Sequence, residues 1–276
     1  MTLKNIVWLA SYPKSGNTWT RAFLINYLLD TKEPVPINQI HRLGMGDAIT
    51  KAYRMVAKGL FDPASVQQVV ARRPAVLRAI ASNDADMNFV KSHNRNGPAL
   101  GQPLAPPQFT RSAVYILRNP LDMIVSFARH YGHQIPAAID AVRRDDHVVQ
   151  GDGNSVTQFV GNWSAHVTGW ADCKAFPVHV IRYEDMLADP RTTFAALVET
   201  LGFPLDDARL DRAIRHASFD ELSRQEARTG FIERSANGAR FFHTGTSGQW
   251  QDVLSVDQAD EIRRDHGVVM KRYGYL

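Results

Sequence analysis

A lysine, a glycine and three short polar side chains stand together in one turn near the start of the chain. The stretch reads Tyr12-Pro13-Lys14-Ser15-Gly16-Asn17-Thr18-Trp19. It follows the apolar run Ile6–Ala10, and the apolar spacing from Thr18 onward predicts a helix. Amide N–H groups and the positive end of the dipole at a helix N-terminus attract anions. The turn therefore predicts a phosphate or sulfate site, to which Lys14 adds a mobile charge and the short polar side chains add donors.

The residue order in this turn differs from that of a Walker A loop. In a Walker A loop the lysine follows the second glycine, and the next Ser or Thr holds magnesium. Here Lys14 precedes Gly16, and the turn contains no earlier glycine. A P-loop kinase, which would depend on magnesium, is therefore an alternative that the lysine position disfavours.

An arginine follows another predicted strand. The run Ala113–Leu117 ends in Arg118-Asn119-Pro120, and Ser126 comes two turns into the next predicted helix. Ligands of open parallel sheets bind at the carboxyl ends of the strands. A planar guanidinium can pair with two phosphate oxygens at once, so Arg118 is a second candidate for anion binding.

A histidine closes a third predicted strand. Met87–Val90 is followed by Lys91-Ser92-His93. Imidazole has an unperturbed pKa near 6.5 and can accept a proton at neutral pH. His93 is therefore a candidate general base. His130 and His133 could also suggest a metal site, but no third ligand is evident, and we predict no metal.

The elements that would position these residues alternate between strands and helices. Four short runs rich in β-branched or aromatic residues predict parallel strands: Ile6–Ala10, Met87–Val90, Ala113–Leu117 and Val178–Ile181. Helices are predicted at Leu121–Tyr131 and Arg191–Leu201, and a helical apolar face is predicted from Phe159, Trp163, Val167 and Trp170. The alternation predicts one α/β domain over residues 1–276, with a parallel sheet covered by helices on both faces. Gly97–Pro107 and His147–Ser155 are predicted to be loops that could cover or bind a substrate.

Composition narrows the class of protein. The chain has 276 residues, 44% hydrophobic and 22% charged, which is ordinary for a globular protein. It has a single cysteine, Cys173, and shows neither a secretion signal nor a membrane-spanning run, so we expect a cytoplasmic protein without disulfides. The net charge is +4, but the basic doublets are scattered and no nucleic-acid motif is present. We therefore predict neither a nucleic-acid nor a membrane partner.

The motifs together resemble those of sulfotransferases that use 3′-phosphoadenosine 5′-phosphosulfate (PAPS). In that family the first turn reads Tyr-Pro-Lys-Ser-Gly-Thr-Thr-Trp, so Asn17 is its one departure. The family pattern Arg-Asn-Pro-x-Asp, with a serine eight residues after the arginine, is kept by Arg118 and Ser126. The resemblance runs over residues 6–270 through five motifs in family order. It implies a P-loop-like strand, loop and helix that bind the phosphosulfate.

The resemblance also implies a reaction. A sulfuryl group would pass in line from PAPS to an acceptor hydroxyl, or as a second choice an amine, leaving 3′,5′-adenosine bisphosphate (PAP) and needing no metal. His93 would act as the base. Lys14 would neutralise charge on the bridging oxygen and the departing 5′-phosphate, and Lys91 would support the transferring group. Ser126 would bind the 3′-phosphate and could also hydrogen-bond Lys14. The residues implied to bind the nucleotide are Lys14, Ser15, Gly16, Asn17, Thr18, Trp19, Arg118, Ser126, Tyr183, Phe219, His243, Thr244 and Gly245.

The last motif departs from the family. Phe242–Trp250 resembles the loop Arg-Lys-Gly-x-x-Gly-x-Trp over the 3′-phosphate, but His243 and Thr244 replace the Arg-Lys pair. Two fixed positive charges are lost, and Arg240 could replace one of them. We expect weaker or more pH-dependent nucleotide binding, because a free histidine is charged only below about pH 6.5. A homologue that binds nucleotide with little catalysis is therefore a further alternative.

The acceptor and the assembly are less defined. The acceptor is predicted to be a small molecule, and residues 31–86, 94–112 and 132–158 are predicted to line its pocket. Gln251–Asp260 only faintly resembles the family's dimerisation motif, so both a monomer and a homodimer stay open. A purely structural protein would not need five ligand motifs at family spacing.

Overall fold

The computed structural model describes residues 4–235 and 240–276. Two compact units can be distinguished, and each is built from separated segments of the chain. Unit 1 comprises Met1–Tyr12, Gly44–Tyr115 and Ala141–Val180. Unit 2 comprises Pro13–Leu43, Ile116–Asp140 and Ile181–Leu276.

The strands form one central sheet and two small hairpins. In chain order they are β1 (Ile6–Ser11), β2 (Gly44–Gly46), β3 (Asn88–Ser92), β4 (Pro98–Ala99), β5 (Gln102–Pro103), β6 (Thr110–Leu117), β7 (Val148–Val149), β8 (Gln158–Phe159) and β9 (Val178–Arg182). The central sheet has the order β2-β3-β1-β6-β9. β3 pairs in parallel with both β1 and β2, with Ala10 opposite Ser92 in the first pair. The predicted α/β class with a central parallel sheet is confirmed.

All four predicted strands are present in this sheet. β1 is buried at all six positions, as expected of a continuous apolar run in a parallel sheet. The fifth strand, β2, was not predicted, because a three-residue Gly-Met-Gly segment carries no apolar pattern. The predicted loops Gly97–Pro107 and His147–Ser155 contain β4, β5 and β7.

Helices occur in both units and make up most of unit 2. In chain order they are α1 (Asn17–Leu29), α2 (Thr50–Val56), α3 (Val66–Ala81), α4 (Pro120–Tyr131), α5 (Ile135–Arg143), α6 (Trp163–Ala171), α7 (Tyr183–Ala188), α8 (Pro190–Thr200), α9 (Asp207–His216), α10 (Phe219–Thr229), α11 (Trp250–Val253) and α12 (Val256–Arg272), and a 3₁₀ helix spans Ile37–Leu43. Within the described ranges, no helix combines the length and apolarity needed to cross a bilayer.

One predicted helical face is corrected at its first residue. Phe159 lies in β8, paired with Val148, and not on a helix. The backbone turns at Gly161, whose φ of 68° lies in the left-handed region, and α6 begins after the N-cap Asn162. The Asn162 side chain accepts a hydrogen bond from the amide of Ala165, which fixes the start of the helix.

α4 matches its prediction and positions several candidate residues. Its N-cap Asn119 accepts a hydrogen bond from the Leu121 amide at 3.0 Å, and Pro120 occupies the first helical position. Gly132, at φ 70°, ends the helix in the left-handed conformation. Most of α4 is buried, but Ser126 is partly exposed.

Candidate active site

The candidate residues fall into two groups, one within each unit. In unit 2 the predicted anion turn, here called the Lys14–Thr18 turn, leads directly into α1. Gly16 is the N-cap of α1 at φ 105°, and no side chain caps the helix. A Cβ at Gly16 would lie 2.8 Å from Tyr183 Cδ2, so a larger residue would collide with a buried ring. The first-turn amides of α1 therefore lack a side-chain cap, as an anion-binding helix end requires.

Lys14 contacts α4 and the segment that follows α10. Its Nζ lies 3.5 Å from His130 Nδ1 and 3.7 Å from the centroid of the Phe241 ring. Its backbone has a φ of 69°, unusual for a residue other than glycine. Residues held in this region cluster at ligand sites, which agrees with the predicted role of Lys14.

Of the polar side chains that follow Lys14, Ser15 lacks a hydrogen-bond partner in the described part of the chain, whereas Asn17 and Thr18 are both bound to Arg21. Ser15 Oγ is buried and has no hydrogen-bond partner among the described residues. Arg21 donates from Nε to Asn17 Oδ1 at 3.0 Å and from Nη2 to Thr18 Oγ1 at 3.2 Å, and it pairs with Glu233 at 2.8 Å. The Asn17 and Thr18 side chains are therefore engaged with Arg21, and contact of the backbone amides of this turn with an anion stays a prediction.

Arg118 is a buried cation surrounded by carbonyl groups. It donates from Nη1 to Lys14 O and from Nη2 to Thr246 O, both at 3.2 Å, and its guanidinium lies 4.2 Å from the Tyr183 ring centroid. Its Nε is buried without a partner, and no carboxylate of the described chain forms an ion pair with it. A buried charge of this kind is costly unless a counter-charge is supplied. Binding of an anion by Arg118 therefore stays a prediction, and the missing counter-charge favours it.

The segment Phe241–Trp250 is attached to the N-terminal end of α4 through its own last residues. The amides of Gly248 and Trp250 donate to the two carboxylate oxygens of Asp122, at 2.7 and 3.1 Å. Gly245 has a φ of 66°, and a Cβ there would lie 2.3 Å from Phe219 Cδ2. Glycine at position 245 is therefore required by both backbone and space.

His243 and Thr244, where the family pattern is broken, are exposed. Partial desolvation, followed by the nearby Arg129 and Arg240, lowers the pKa of His243 below its usual range. His243 is therefore neutral at pH 7. Of these arginines, Arg240 was considered from the sequence, whereas Arg129 was missed although it lies one helical turn after Ser126.

The aromatic candidates pack within unit 2. Tyr183 is buried, which raises the pKa of its hydroxyl, and its ring meets Trp19 edge to face at 5.7 Å. Phe219 meets Phe242 edge to face at 6.2 Å. Contact of Trp19, Tyr183 or Phe219 with adenine stays a prediction.

In unit 1, His93 follows β3 and contacts the end of β1. Its Nδ1 lies 2.9 Å from Ser11 O and 3.2 Å from Ser11 Oγ. A carbonyl oxygen can only accept, so Nδ1 carries the proton and donates to it. In the neutral ring Nε2 is then the basic nitrogen, which is the tautomer that a general base at Nε2 needs.

Asp47 organises the strand end around His93. Its carboxylate accepts from Ser92 Oγ at 2.8 Å, Asn94 Nδ2 at 2.9 Å and Arg73 Nη2 at 2.6 Å. Its amide donates to Lys91 O at 3.0 Å. The residues on both sides of His93 are therefore fixed by one buried carboxylate, and the role of the Lys91 side chain stays a prediction.

His166 fixes the backbone of His93 itself. Its Nε2 lies 3.3 Å from His93 O, and its Nδ1 accepts from Tyr115 Oη at 2.9 Å. Complete burial lowers its pKa to about 3, so the ring is neutral and Nε2 donates. Neither Asp47 nor His166 was predicted, because their partners are distant in the sequence. Among the described residues, no group of three or more His, Cys, Asp or Glu side chains could hold a metal ion.

Comparison with known proteins relates this arrangement to others. The chain is 26% identical to the 3-alpha-hydroxysteroid sulfotransferase of Cavia porcellus, covering 95% of this chain and 83% of that protein. It is 25% identical to the amine sulfotransferase of Oryctolagus cuniculus, covering 97% and 81%. The crystal structure of retinol dehydratase in complex with androsterone and the inactive cofactor PAP shares the fold, with a TM-score of 0.66, 16% identity, and coverage of 98% and 82%.

The extent of these matches varies. The first curated relatives, sulfotransferases of mouse and rat, are matched over only 52–65% of their own length. A family model described as a sulfotransferase domain matches residues 4–274, which include nearly all of both units. By this match over almost its whole length, the chain belongs to the sulfotransferase domain family.

Proposed function

We propose that this protein transfers a sulfuryl group from PAPS to a hydroxyl group of a small-molecule acceptor. The observation that carries the proposal is Arg118, a buried guanidinium with an unpartnered Nε and no carboxylate of the described chain to neutralise it. It contacts the backbone of Lys14, so an anion held by one would be close to the other. Family membership adds support, since a single sulfotransferase model covers both units and favours one domain.

The residues of unit 2 fit such a nucleotide. Ser15 Oγ and Arg118 Nε are buried donors without partners in the described structure, and the space beside Gly16 admits no side chain. The amides of Ser15–Thr18 and the Lys14 ammonium would hold the 5′-phosphosulfate. Arg118 and Ser126 would hold the 3′-phosphate. The adenine would be bordered by Trp19, Tyr183 and Phe219, with Gly245 in the loop beside it.

When bound, PAPS would supply the sulfuryl group that the reaction transfers. The acceptor oxygen would form a bond to sulfur while the bond from sulfur to the 5′-phosphate oxygen breaks, giving a sulfate ester, PAP and one proton. His93 Nε2 would receive that proton from the acceptor hydroxyl. Lys14 would neutralise charge on the departing 5′-phosphate, and Lys91 would stabilise the transferring group. No step of this scheme assigns a role to a metal.

The acceptor is proposed as a small molecule, with an amine as the second choice. One relative is named for a hydroxysteroid and another for an amine, and the retinol dehydratase structure contains androsterone. The hydroxysteroid and androsterone favour a hydroxyl on a largely apolar molecule, and the amine sulfotransferase keeps an amine as the second choice. We further propose a cytoplasmic location, which is consistent with a single free cysteine. For the assembly we propose a monomer or a homodimer.

A calorimetric titration tests the nucleotide site. The protein is titrated with PAP, with adenosine 5′-phosphate and with ATP, each without and with magnesium. We expect micromolar binding of PAP without magnesium and at least tenfold weaker binding of the other two, since only PAP reaches both phosphate sites. A preference for ATP that appears on adding magnesium would replace this proposal with the kinase alternative.

Replacement of His93 tests the base. His93→Ala should lower kcat by about 10²–10⁴-fold while PAP affinity stays within twofold, because the ring acts on the proton of the acceptor. His179→Ala is the matched control, since this histidine lies in β9, outside the proposed site residues and acceptor segments, and should leave kcat unchanged. More than a tenth of wild-type turnover in the His93 variant would refute the assignment. Binding of PAP without turnover in the wild type, across hydroxyl and amine acceptors, would favour a catalytically inactive homologue.

A further inference from the structure

We propose that Arg129 is a ligand of the 3′-phosphate and supplies charge that this chain lacks at His243 and Thr244. The inference rests on the proposed function, because it assigns one more residue to the same nucleotide site. It concerns only unit 2, where all the residues involved lie.

The course of the segment Phe241–Trp250 along α4 provides the first argument. At one end, the Phe241 ring meets the His130 ring edge to face at 5.8 Å. At the other end, the amides of Gly248 and Trp250 donate to Asp122. The segment therefore runs antiparallel to α4, and its two attachment points are separated by about 12 Å along the helix. The residues between these points include His243, which is near enough to Arg129, in the second half of α4, for this arginine to lower its pKa.

The middle of α4 presents a polar face to this segment. Its positions from Pro120 to Val125 are buried, as are Phe127 and Ala128. Ser126, Arg129 and His130 are partly exposed, and their spacing of three and four residues places them on one side of the helix. His130 contacts the Lys14 ammonium at 3.5 Å, so this side faces the Lys14–Thr18 turn. Arg129 thus lies on the same face as Ser126, a proposed 3′-phosphate ligand.

The charge balance of this region provides the second argument. Arg129 makes neither an ion pair nor a hydrogen bond with any residue in the described part of the chain. The neighbouring carboxylates are already occupied: Asp122 accepts from Gly248 and Trp250, and Glu226 accepts from the amides of residues 241 and 242 at 2.6 and 2.9 Å. Burial, followed by repulsion from Arg118, lowers the pKa of Arg129, so the two guanidinium groups are near enough to repel each other. Two arginines without a counter-charge form a site for a dianion.

His243 supplies less of this charge at neutral pH. Partial desolvation, followed by Arg129 and Arg240, lowers its pKa, so without ligand it is mainly neutral where the family pattern has a permanent cation. Arg240 is exposed, whereas Arg129 is partly buried on a helix fixed at both ends. Arg129 is therefore the better positioned replacement, because a less solvated arginine interacts more strongly with phosphate.

The test compares two nucleotides that differ only in the 3′-phosphate. PAP and adenosine 5′-phosphate are titrated calorimetrically into the wild type, Arg129→Ala, Arg129→Lys and Arg264→Ala. Arg264 is a matched control, since its side chain is 72% exposed and its removal changes the net charge equally. We expect Arg129→Ala to weaken PAP binding by about 10- to 100-fold and 5′-phosphate binding by less than twofold. Arg129→Lys should retain part of the PAP affinity, and Arg264→Ala all of it.

Each result distinguishes this inference from the proposed function. Equal losses for both nucleotides in Arg129→Ala, or no loss for PAP, would overturn the assignment of Arg129 while leaving the nucleotide site intact. A wild type that binds PAP no better than adenosine 5′-phosphate would overturn the proposed function and this inference together. If the alanine variant does not fold, Arg129→Lys carries the test: it keeps the charge but loses the planar fork, so it should weaken the binding of PAP and leave the binding of adenosine 5′-phosphate unchanged.

Discussion

Two buried arginines, one in each unit, are surrounded in opposite ways. Arg73 in unit 1 is 2% exposed, and Arg118 in unit 2 is 6% exposed. Arg73 pairs with the Asp47 carboxylate at 2.6 Å and also donates to Tyr53 Oη at 3.3 Å and Leu104 O at 2.8 Å. Arg118 donates only to backbone carbonyls, and its Nε has no partner among the described residues.

The difference separates a charge that is neutralised within the fold from one for which we propose a ligand as the counter-charge. A buried cation is tolerated when a carboxylate and further acceptors satisfy it, as they do for Arg73. The same cation without a counter-charge lowers stability, so its presence at Arg118 points to a function outside the fold itself. The polar groups around His93 belong to the first class, since Asp47 and His166 have their partners within unit 1.

The largest expected effect is that of breaking the paired arginine. Asp47→Asn keeps the shape of the side chain but leaves the Arg73 guanidinium uncompensated in the interior. We expect the free energy of unfolding, measured by urea denaturation, to fall by about 3–5 kcal/mol. Asp146→Asn is the control, because its ion pair with Arg144 is exposed and its loss should not change the midpoint. An unchanged midpoint in Asp47→Asn would show that Arg73 needs no counter-charge.

Removing Arg118, which has no counter-charge among the described residues, should affect ligand binding and not stability. Arg118→Ala should weaken PAP binding by about 10- to 100-fold, because a charge-assisted contact to the 3′-phosphate is lost. Without ligand, its free energy of unfolding should stay equal or rise, since a buried charge without a partner is removed. Arg73→Ala is the matched comparison and should lose stability. If both variants lost stability alike and Arg118→Ala kept its PAP affinity, the distinction between the two arginines would fail.

The smallest expected effect on stability is that of His166, a neutral side chain whose hydrogen-bond partners lie within unit 1. His166 has a folded pKa of about 3, whereas an unfolded histidine titrates near 6.5. The unfolded chain therefore binds the extra proton, and the stability from His166 is present above pH 6.5 and is lost as the pH falls toward 3. We expect a loss of about 1 kcal/mol between pH 6.5 and 5.5.

Thermal denaturation of His166→Gln across that pH interval isolates this contribution. The free energy of unfolding of the variant should depend less on pH than that of the wild type. The difference in slope should correspond to about one proton that the wild type takes up on unfolding. His41→Gln is the control, since that ring is exposed and its replacement should leave the slope unchanged. An equal slope in the wild type and His166→Gln would show that His166 is protonated in the folded protein.

Much of the fold could be predicted because its signals are local. The strands β1, β3, β6 and β9 are runs of apolar residues, and α4 is bounded by Asn119 and Gly132, which cap helices by known geometry. β2 could not be predicted, since its three residues form a strand only by pairing with β3. Phe159 was misplaced because helical spacing extended past Gly161, where the backbone turns.

The candidate site was predictable where its residues stand in motifs. Lys14, His93 and Arg118 each follow a strand, so sequence order alone places them at strand ends. Whether each makes its predicted contact with nucleotide or acceptor stays a prediction. Asp47 and His166 lie 47 and 73 residues from the partners Asn94 and His93. Such pairings are produced by the fold and leave no local pattern.

The division of the chain into interleaved units has a consequence for biosynthesis. The chain passes from unit 1 to unit 2 after Tyr12, Tyr115 and Val180, each time within three residues of a proposed nucleotide ligand. Unit 1 has all its segments once residue 180 is made, whereas Arg21 pairs with Glu233, 212 residues later. Contacts this distant in sequence form late and slowly. We therefore expect nucleotide to stabilise only the completed chain, so that ligand-induced protection from proteolysis reports full-length synthesis and folding together.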